Sequence, residues 1–297
     1  MRAAIEEAKM EKKPELLLRA SCIVGEGPLW DDRRERLYFL DIRGKRVYRM
    51  ALGDAAPEEI PLPQQIGCMA LKENGDLLLA LEDGVYARDD KTGALSLAHA
   101  PCPVKGRRFN DGKIGPDGRF YLGTTDEDGN GAFYCLHQGR LRELFGGARC
   151  ANGIDWTADE KTMYYIDSPR RMIERFDFSA GADAPLRNRR RCWDASFLGS
   201  ESVQPDGMCI DAEGMLWVAV WGGYCALRVN PRTGEILQRA EVPAARVSCC
   251  AFAGKGLNQL ILTTASYQAE LEREPLAGSV FLLETQVPGL PVHRYKE

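Results

Sequence analysis

The stretch "IDAEGMLWVAVWGG", residues 210–223, reads as two strands folded over a turn. Ile210 ends one apolar run, "DAEG" is a polar turn closed by glycine, and "MLWVAVW" is a second apolar and aromatic run. Acid–glycine pairs favour turns because glycine reaches positive φ freely and the acid bonds its own backbone. The same order of apolar anchor, short polar turn and apolar run occurs six times. It begins at Leu29 ("LWDDRRERLYFLD"), Leu71 ("LKENGDLLLALE"), Ile114 ("IGPDGRFYLGTT"), Ile154 ("IDWTADEKTMYYIDS"), Ile210 and Phe252 ("FAGKGLNQLILTTA"). The starts lie 40–43 residues apart except for a longer step into the fifth. Segments such as "GVYARDDKTGALS" and "CALRVNPRTGEILQ" add outer hairpins with Thr-Gly turns. Helical periodicity is nearly absent after residue 20. Six four-stranded units at this period predict an all-β fold, a six-bladed β-propeller of antiparallel blades around a central channel. A closed ring also removes the unprotected edges that an open sheet of so many strands would carry. The propeller is expected over residues 16–297, preceded by a charged, helix-prone extension over residues 1–15. The extra residues 183–205 are expected to form a long loop between blades four and five.

Bulk properties narrow the function. The chain has 297 residues, 44% hydrophobic and 28% charged, with a formal charge of −4. That balance argues against nucleic acid as a partner. The one dense basic run, "RNRRR" at residues 187–191, reads as a solvated strand edge or loop. No apolar run is long enough to span a bilayer, and the N-terminus lacks the apolar core of a secretion signal. The ten cysteines include no Cys-x-x-Cys pair, so reduced thiols and a cytoplasmic location are expected. The partner this leaves is a small molecule, with the protein a monomer or a weak homodimer.

In a propeller the innermost strand of each blade lines the channel, so equivalent positions near its start share one rim. Just before the anchors stand Glu26 ("VGEGPLW"), Asn110 ("RRFNDGKIG"), Asn152 ("CANGIDW") and Asp206 ("QPDGMCI"). Blades two and six are expected to offer Cys68 and Cys250 there. Each polar residue alone is an ordinary turn former. Their recurrence at one repeat position is not, because the hairpin turns lie elsewhere, at Asn74-Gly75, Asp117-Gly118 and Glu213-Gly214. Two carboxylates and amide oxygens aimed at one point repel unless a cation sits between them. Oxygen ligation suits one hard divalent ion, Ca²⁺, Mg²⁺ or Mn²⁺, with Zn²⁺ the remaining choice. His99, His137 and His293 do not occur at the rim. An ion so placed polarises a carbonyl and acidifies water, which points to hydrolysis.

Taken together, "GEGPLW", "RFNDGK", "NGIDW…YYIDS" and "PDGMCIDAEGMLWVAVWGG" resemble the senescence marker protein/regucalcin/gluconolactonase family, over about residues 16–285. The resemblance implies a sugar-lactone hydrolase with Glu26, Asn152 and Asp206 as ligands of one divalent metal. It makes Asp206 the acid–base group as well, and Arg108 and Asn110 the substrate-holding residues. The "WVAVWGG" form, with Trp221 near the channel mouth, looks more like bacterial aldonolactonases than animal regucalcin. An acidic substrate contact is expected shortly after the third blade's Gly-Thr, where Asp126, Glu127 and Asp128 all stand. In the implied mechanism Asp206 takes a proton from the attacking water and returns it to the leaving alkoxide. Arg108 supplies a fixed planar cation for hydroxyl or carboxyl oxygens.

Other signals point nowhere specific. "DEDGNG" from Asp126 imitates the start of an EF-hand loop, but its twelfth position is His137 and its flanks read as strands. No Gly-x-Ser-x-Gly elbow occurs. Trp30, Trp156 and Trp193 read as packing residues. Two alternatives share the same site: a hydrolase of another ring or ester (aryl ester, organophosphate, cyclic amide or imine), and a non-catalytic calcium-binding propeller.

Overall fold

Alternating apolar residues along short strands build six four-stranded antiparallel sheets. The computed structural model describes residues 13–99 and 107–297. The innermost strands are Gly25–Asp31, Ile66–Leu71, Arg108–Ile114, Ala151–Trp156, Gln204–Ile210 and Val247–Ala253. Each contacts the next and the sixth contacts the first, so the sheets close into a six-bladed β-propeller. Only two short 3₁₀ turns, Ser168–Arg170 and Ser196–Leu198, interrupt the strands among the described residues. No helix of the described residues is long and apolar enough to cross a membrane.

The turns fall where acid–glycine and Asn-Gly pairs placed them. Gly75, Gly118 and Gly214 all sit at positive φ, 90°, 76° and 78°. Packing between blades is aromatic. Between blades three and four, Tyr121 and Trp156 meet at 5.3 Å between ring centroids, and Phe133, Tyr165 and Phe178 close around them. Burying each such ring contributes about 1.5–3 kcal/mol. Trp30, Trp156 and Trp193 are buried, as packing residues should be.

Three features differ from the sequence reading. The ring is closed by a strand from the N-terminal side, Glu15–Leu18, which pairs with Val280–Glu284 as the outermost strand of blade six. Glu15 is therefore a propeller residue, and residues 1–12 of the expected extension lie outside the described part. The expected loop over residues 183–205 contains a nine-residue outer strand, Leu186–Asp194, with "RNRRR" exposed along it. Its arginines reach acids of the neighbouring strand, as in Arg189–Glu174 at 2.5 Å and Arg190–Asp177 at 2.8 Å. Finally, the end of the chain runs across the channel opposite the rim. Asp211 bridges Gly289 and Lys72 bridges Tyr295.

That strap is pinned by charge. Arg294 reaches Asp31 at 2.6 Å, and the Asp31 side chain is fully buried. Arg34 at 3.3 Å and the Arg33 amide also reach Asp31, so removing Arg294 loses a charged hydrogen bond rather than every partner, about 1.5–3 kcal/mol. Arg294→Ala is expected to lower the unfolding free energy by that amount while the ring still forms. A loss below about 1 kcal/mol, the scale of a surface pair, would show that other contacts hold the strap.

Candidate metal centre

In every blade the innermost strand slips register at the same level. In blades one and four one more pair, Glu26–Leu40 and Asn152–Ile166, precedes the slip; the pairs at the level common to all six are Gly25–Asp41, Ile66–Leu81, Phe109–Thr124, Ala151–Asp167, Pro205–Val220 and Val247–Thr264. The residues that follow them are Glu26, Gly67, Asn110, Asn152, Asp206 and Ser248. A bulge re-aims a side chain out of the sheet plane, and here it turns this row into the channel. The four polar positions read from the sequence thus share one level. The other two are Gly67 and Ser248, not Cys68 and Cys250. A bulge adds a residue that anchor-counting misses.

The next residue in each strand is Gly27, Cys68, Asp111, Gly153, Gly207 and Cys249. Small residues are required here because adjoining strands approach closely. A Cβ on Gly153 would lie 2.8 Å from the Asp206 carbonyl oxygen, and one on Gly207 would collide with the Cys249 side chain. Gly207 is therefore a spacing residue, whereas Gly214 is a turn residue. Asp111 is the acid that the sequence reading missed. Its signal was present, since five of the six blades hold glycine or cysteine in that column.

Glu26, Asn110, Asn152 and Asp206 are 5–8% exposed. Asn152 donates through Nδ2 to Ser168 Oγ at 2.8 Å, which turns its Oδ1 toward the channel. That oxygen accepts a hydrogen bond from Asn110 Nδ2 at 2.9 Å, and Arg108 donates to Asn110 Oδ1 at 2.8 Å. Glu26 Oε2 accepts from the Gly27 amide at 2.6 Å. The Asp206 carboxylate accepts no hydrogen bond among the described residues.

Electrostatics mark this as an unneutralised acid cluster. Burial, then the Asp111 charge, pushes the Glu26 carboxyl up to about 8. Burial carries Asp111 up to about 6. Burial, with Glu26 and Asp111 adding to it, raises Asp206 well above the usual carboxylate range. The nearby channel cation, Lys113, is already bound to Asp155 at 2.8 Å. Burial also raises the thiols of Cys68 and Cys249, which keeps them protonated and poor metal ligands. No three His, Cys, Asp or Glu side chains form a metal site by themselves among the described residues. The set that fits a divalent ion is therefore two carboxylates with the Asn152 amide oxygen, an all-oxygen set for a hard cation.

The remaining expected residues divide. Trp221 pairs with Gln204 at the mouth, half-buried, with the Arg246 guanidinium 5.9 Å from its ring centroid. Asp126 is committed locally, pairing with Arg107 at 2.7 Å and capping its own turn through the Asp128 amide. The Glu127 and Asp128 side chains are exposed and make no hydrogen bond to Arg108, Asn110 or the three ligand candidates. Below the ring lies a cavity of about 280 Å³, reaching past Lys113 and Asp155 to Leu290 and His293 of the strap. Access to the rim is thus from the opposite face.

Residues 24–266 match the family described as the SMP-30/Gluconolactonase/LRE-like region. The chain belongs to this family. Regucalcin of Sus scrofa is 33% identical over 297 residues, spanning 95% of this chain and 98% of its own. Human regucalcin is 34% identical over 282 residues, covering 91% and 93%. The structure of a calcium-binding protein, regucalcin, from Agrobacterium tumefaciens superposes with a TM-score of 0.89 at 26% identity, over 97% of this chain and 98% of that one. The family's lactonase-type propeller is thus the scaffold on which this acid cluster sits.

Proposed function

We propose that this family member is a divalent-metal-dependent hydrolase that opens a sugar lactone, an aldonolactone such as a glucono-, xylono- or arabinolactone, to its aldonic acid. The observation that carries the reading is the rim itself. Two buried carboxylates and an amide oxygen from three blades share one level, and the Asp206 carboxylate accepts no hydrogen bond among the described residues. Glu26, Asn152 and Asp206 would hold the ion, which when bound supplies positive charge for the acyl oxygen to develop negative charge against.

The chain's own groups do the rest. Arg108 and Asn110, already hydrogen-bonded to each other, orient substrate oxygens beside the centre. Asp206 accepts the proton of the attacking water, and the same carboxyl group protonates the alkoxide released when the ring C–O bond breaks. One water is consumed and a hydroxy acid results. No histidine lies on the rim, so a carboxylate with a raised pKa is the base at hand.

A panel of aldonolactones, an aryl ester and an organophosphate tests the substrate class. Lactone opening is expected to dominate, and turnover confined to the other esters would reject the lactone reading. The calcium-binding description of the Agrobacterium relative favours a second reading, a binding propeller without turnover. A metal-loaded protein that opens nothing in the panel would support it.

A further inference from the structure

Arg107 and Arg170 are neutralised by Asp126 at 2.7 Å and Asp167 at 3.0 Å. Arg43 and Arg108 are not. Arg108 is half-buried at the head of its strand, and its hydrogen bonds go to the Phe109 carbonyl and Asn110 Oδ1, with no carboxylate within ion-pair reach. Arg43 stands in the blade-one turn that opens beside Glu26. Its guanidinium lies 4.1 Å over the Tyr267 ring centroid and forms no ion pair or hydrogen bond among the described residues. Tyr267 is itself fixed, since its amide donates to the Ile23 carbonyl at 2.9 Å. A stacked, planar arginine is held in one orientation at little entropic cost and keeps its N–H edge free for a ligand.

The two charges also feel each other. Burial holds the Arg108 guanidinium below its ordinary range, with the Arg43 charge pushing the same way and Cys150, Glu26 and Glu82 pushing back. Neither guanidinium has a carboxylate within ion-pair reach among the described residues. Glu82, an acid of the neighbouring blade-two turn, is engaged with the Gln65 side chain at 3.0 Å and reaches neither arginine.

We propose that Arg43 and Arg108 form an anion subsite beside the metal centre, and that the lactone opened here carries a carboxylate or phosphate remote from its ring carbonyl. This rests on the lactonase reading above and narrows it, to lactones of aldaric acids or of phosphorylated aldonic acids. Arg43 is a specificity residue in this scheme, gripping the anionic end while the chemistry proceeds at Asp206.

The test compares kcat/KM for three lactones of one ring size, bearing a hydroxyl, a carboxylate or a phosphate at the far end. The wild type is expected to favour one of the anionic lactones over the neutral one by at least about tenfold, the scale of hydrogen bonds to a charged group. Arg43→Ala should cut that ratio about tenfold, chiefly through KM, and Arg43→Lys should restore part of it. Added salt should slow the anionic lactone selectively. Which anionic lactone wins identifies the group. Equal rates on neutral and anionic lactones, or a ratio unchanged by Arg43→Ala, overturns the proposal. If no lactone is opened, the lactonase reading fails instead, and calorimetric binding of glucarate judges the subsite alone. Tighter binding by wild type than by Arg43→Ala upholds the subsite, and equal or absent binding refutes it.

Discussion

Asp206→Asn is expected to leave a folded propeller that opens no lactone. The change keeps the shape of the side chain and removes the carboxylate proposed to move the proton. Loss of general acid–base catalysis costs about 10²–10⁴-fold in rate, before any weakening of metal binding is counted. Asparagine still offers an oxygen, so the variant should bind a divalent ion, more weakly, without regaining turnover. Separating those two readouts distinguishes a ligand that is also the base from a ligand alone. The metal-free variant should also melt higher than the metal-free wild type. In the wild type Asp206 is raised by burial and by its neighbours Glu26 and Asp111, a cluster that loses strain when one member becomes neutral. A variant that retains wild-type turnover would remove Asp206 from the chemistry.

Metal removal should destabilise the protein in a pH-dependent way. In the unfolded chain Glu26 and Asp111 titrate near their ordinary values of 4.5 and 3.8, while in the fold burial lifts them to about 8 and about 6. Well below pH 3.8 both states are protonated, and the cluster carries no penalty. As pH rises, the unfolded chain releases these protons first, so folded stability declines through the interval up to about 8 and then levels. A bound ion favours the ionised carboxylates and must displace the protons that remain, so its stabilising effect grows over the same interval. Melting temperatures in chelator and in saturating Ca²⁺ should therefore diverge from pH 5 to pH 8. A gap of constant size would mean that the ion does not bind at this acid cluster.

The sequence made the repeating parts of the molecule legible and left the singular ones hidden. Gly75, Gly118 and Gly214 announced hairpins because a turn repeats its chemistry wherever it occurs. Glu26, Asn110, Asn152 and Asp206 were found by comparing repeats, since each alone looks like a turn former. Gly67 and Ser248 were displaced by one or two residues because the bulge breaks the count from the anchor. The strand Leu186–Asp194 read as a loop because an outermost strand wet on both faces need not alternate. The closing strand Glu15–Leu18 and the strap have no repeat partner at all, and their positions follow from contacts made across the ring. Arg43 was invisible for a related reason. It lies in a turn, and what distinguishes it is the Tyr267 ring more than two hundred residues away.

The central claim is that one divalent ion, held by Glu26, Asn152 and Asp206, is required to open a lactone. Its most direct test is a titration of metal-free wild-type protein with Ca²⁺, Mg²⁺, Mn²⁺ and Zn²⁺, following aldonolactone opening and bound metal together. Turnover should rise from background in proportion to bound ion and saturate at about one ion per chain, as expected of a single oxygen-donor site. Glu26→Gln with Asp206→Asn should abolish both signals. Full turnover by the metal-free protein, or undiminished metal activation in that double variant, would contradict the account.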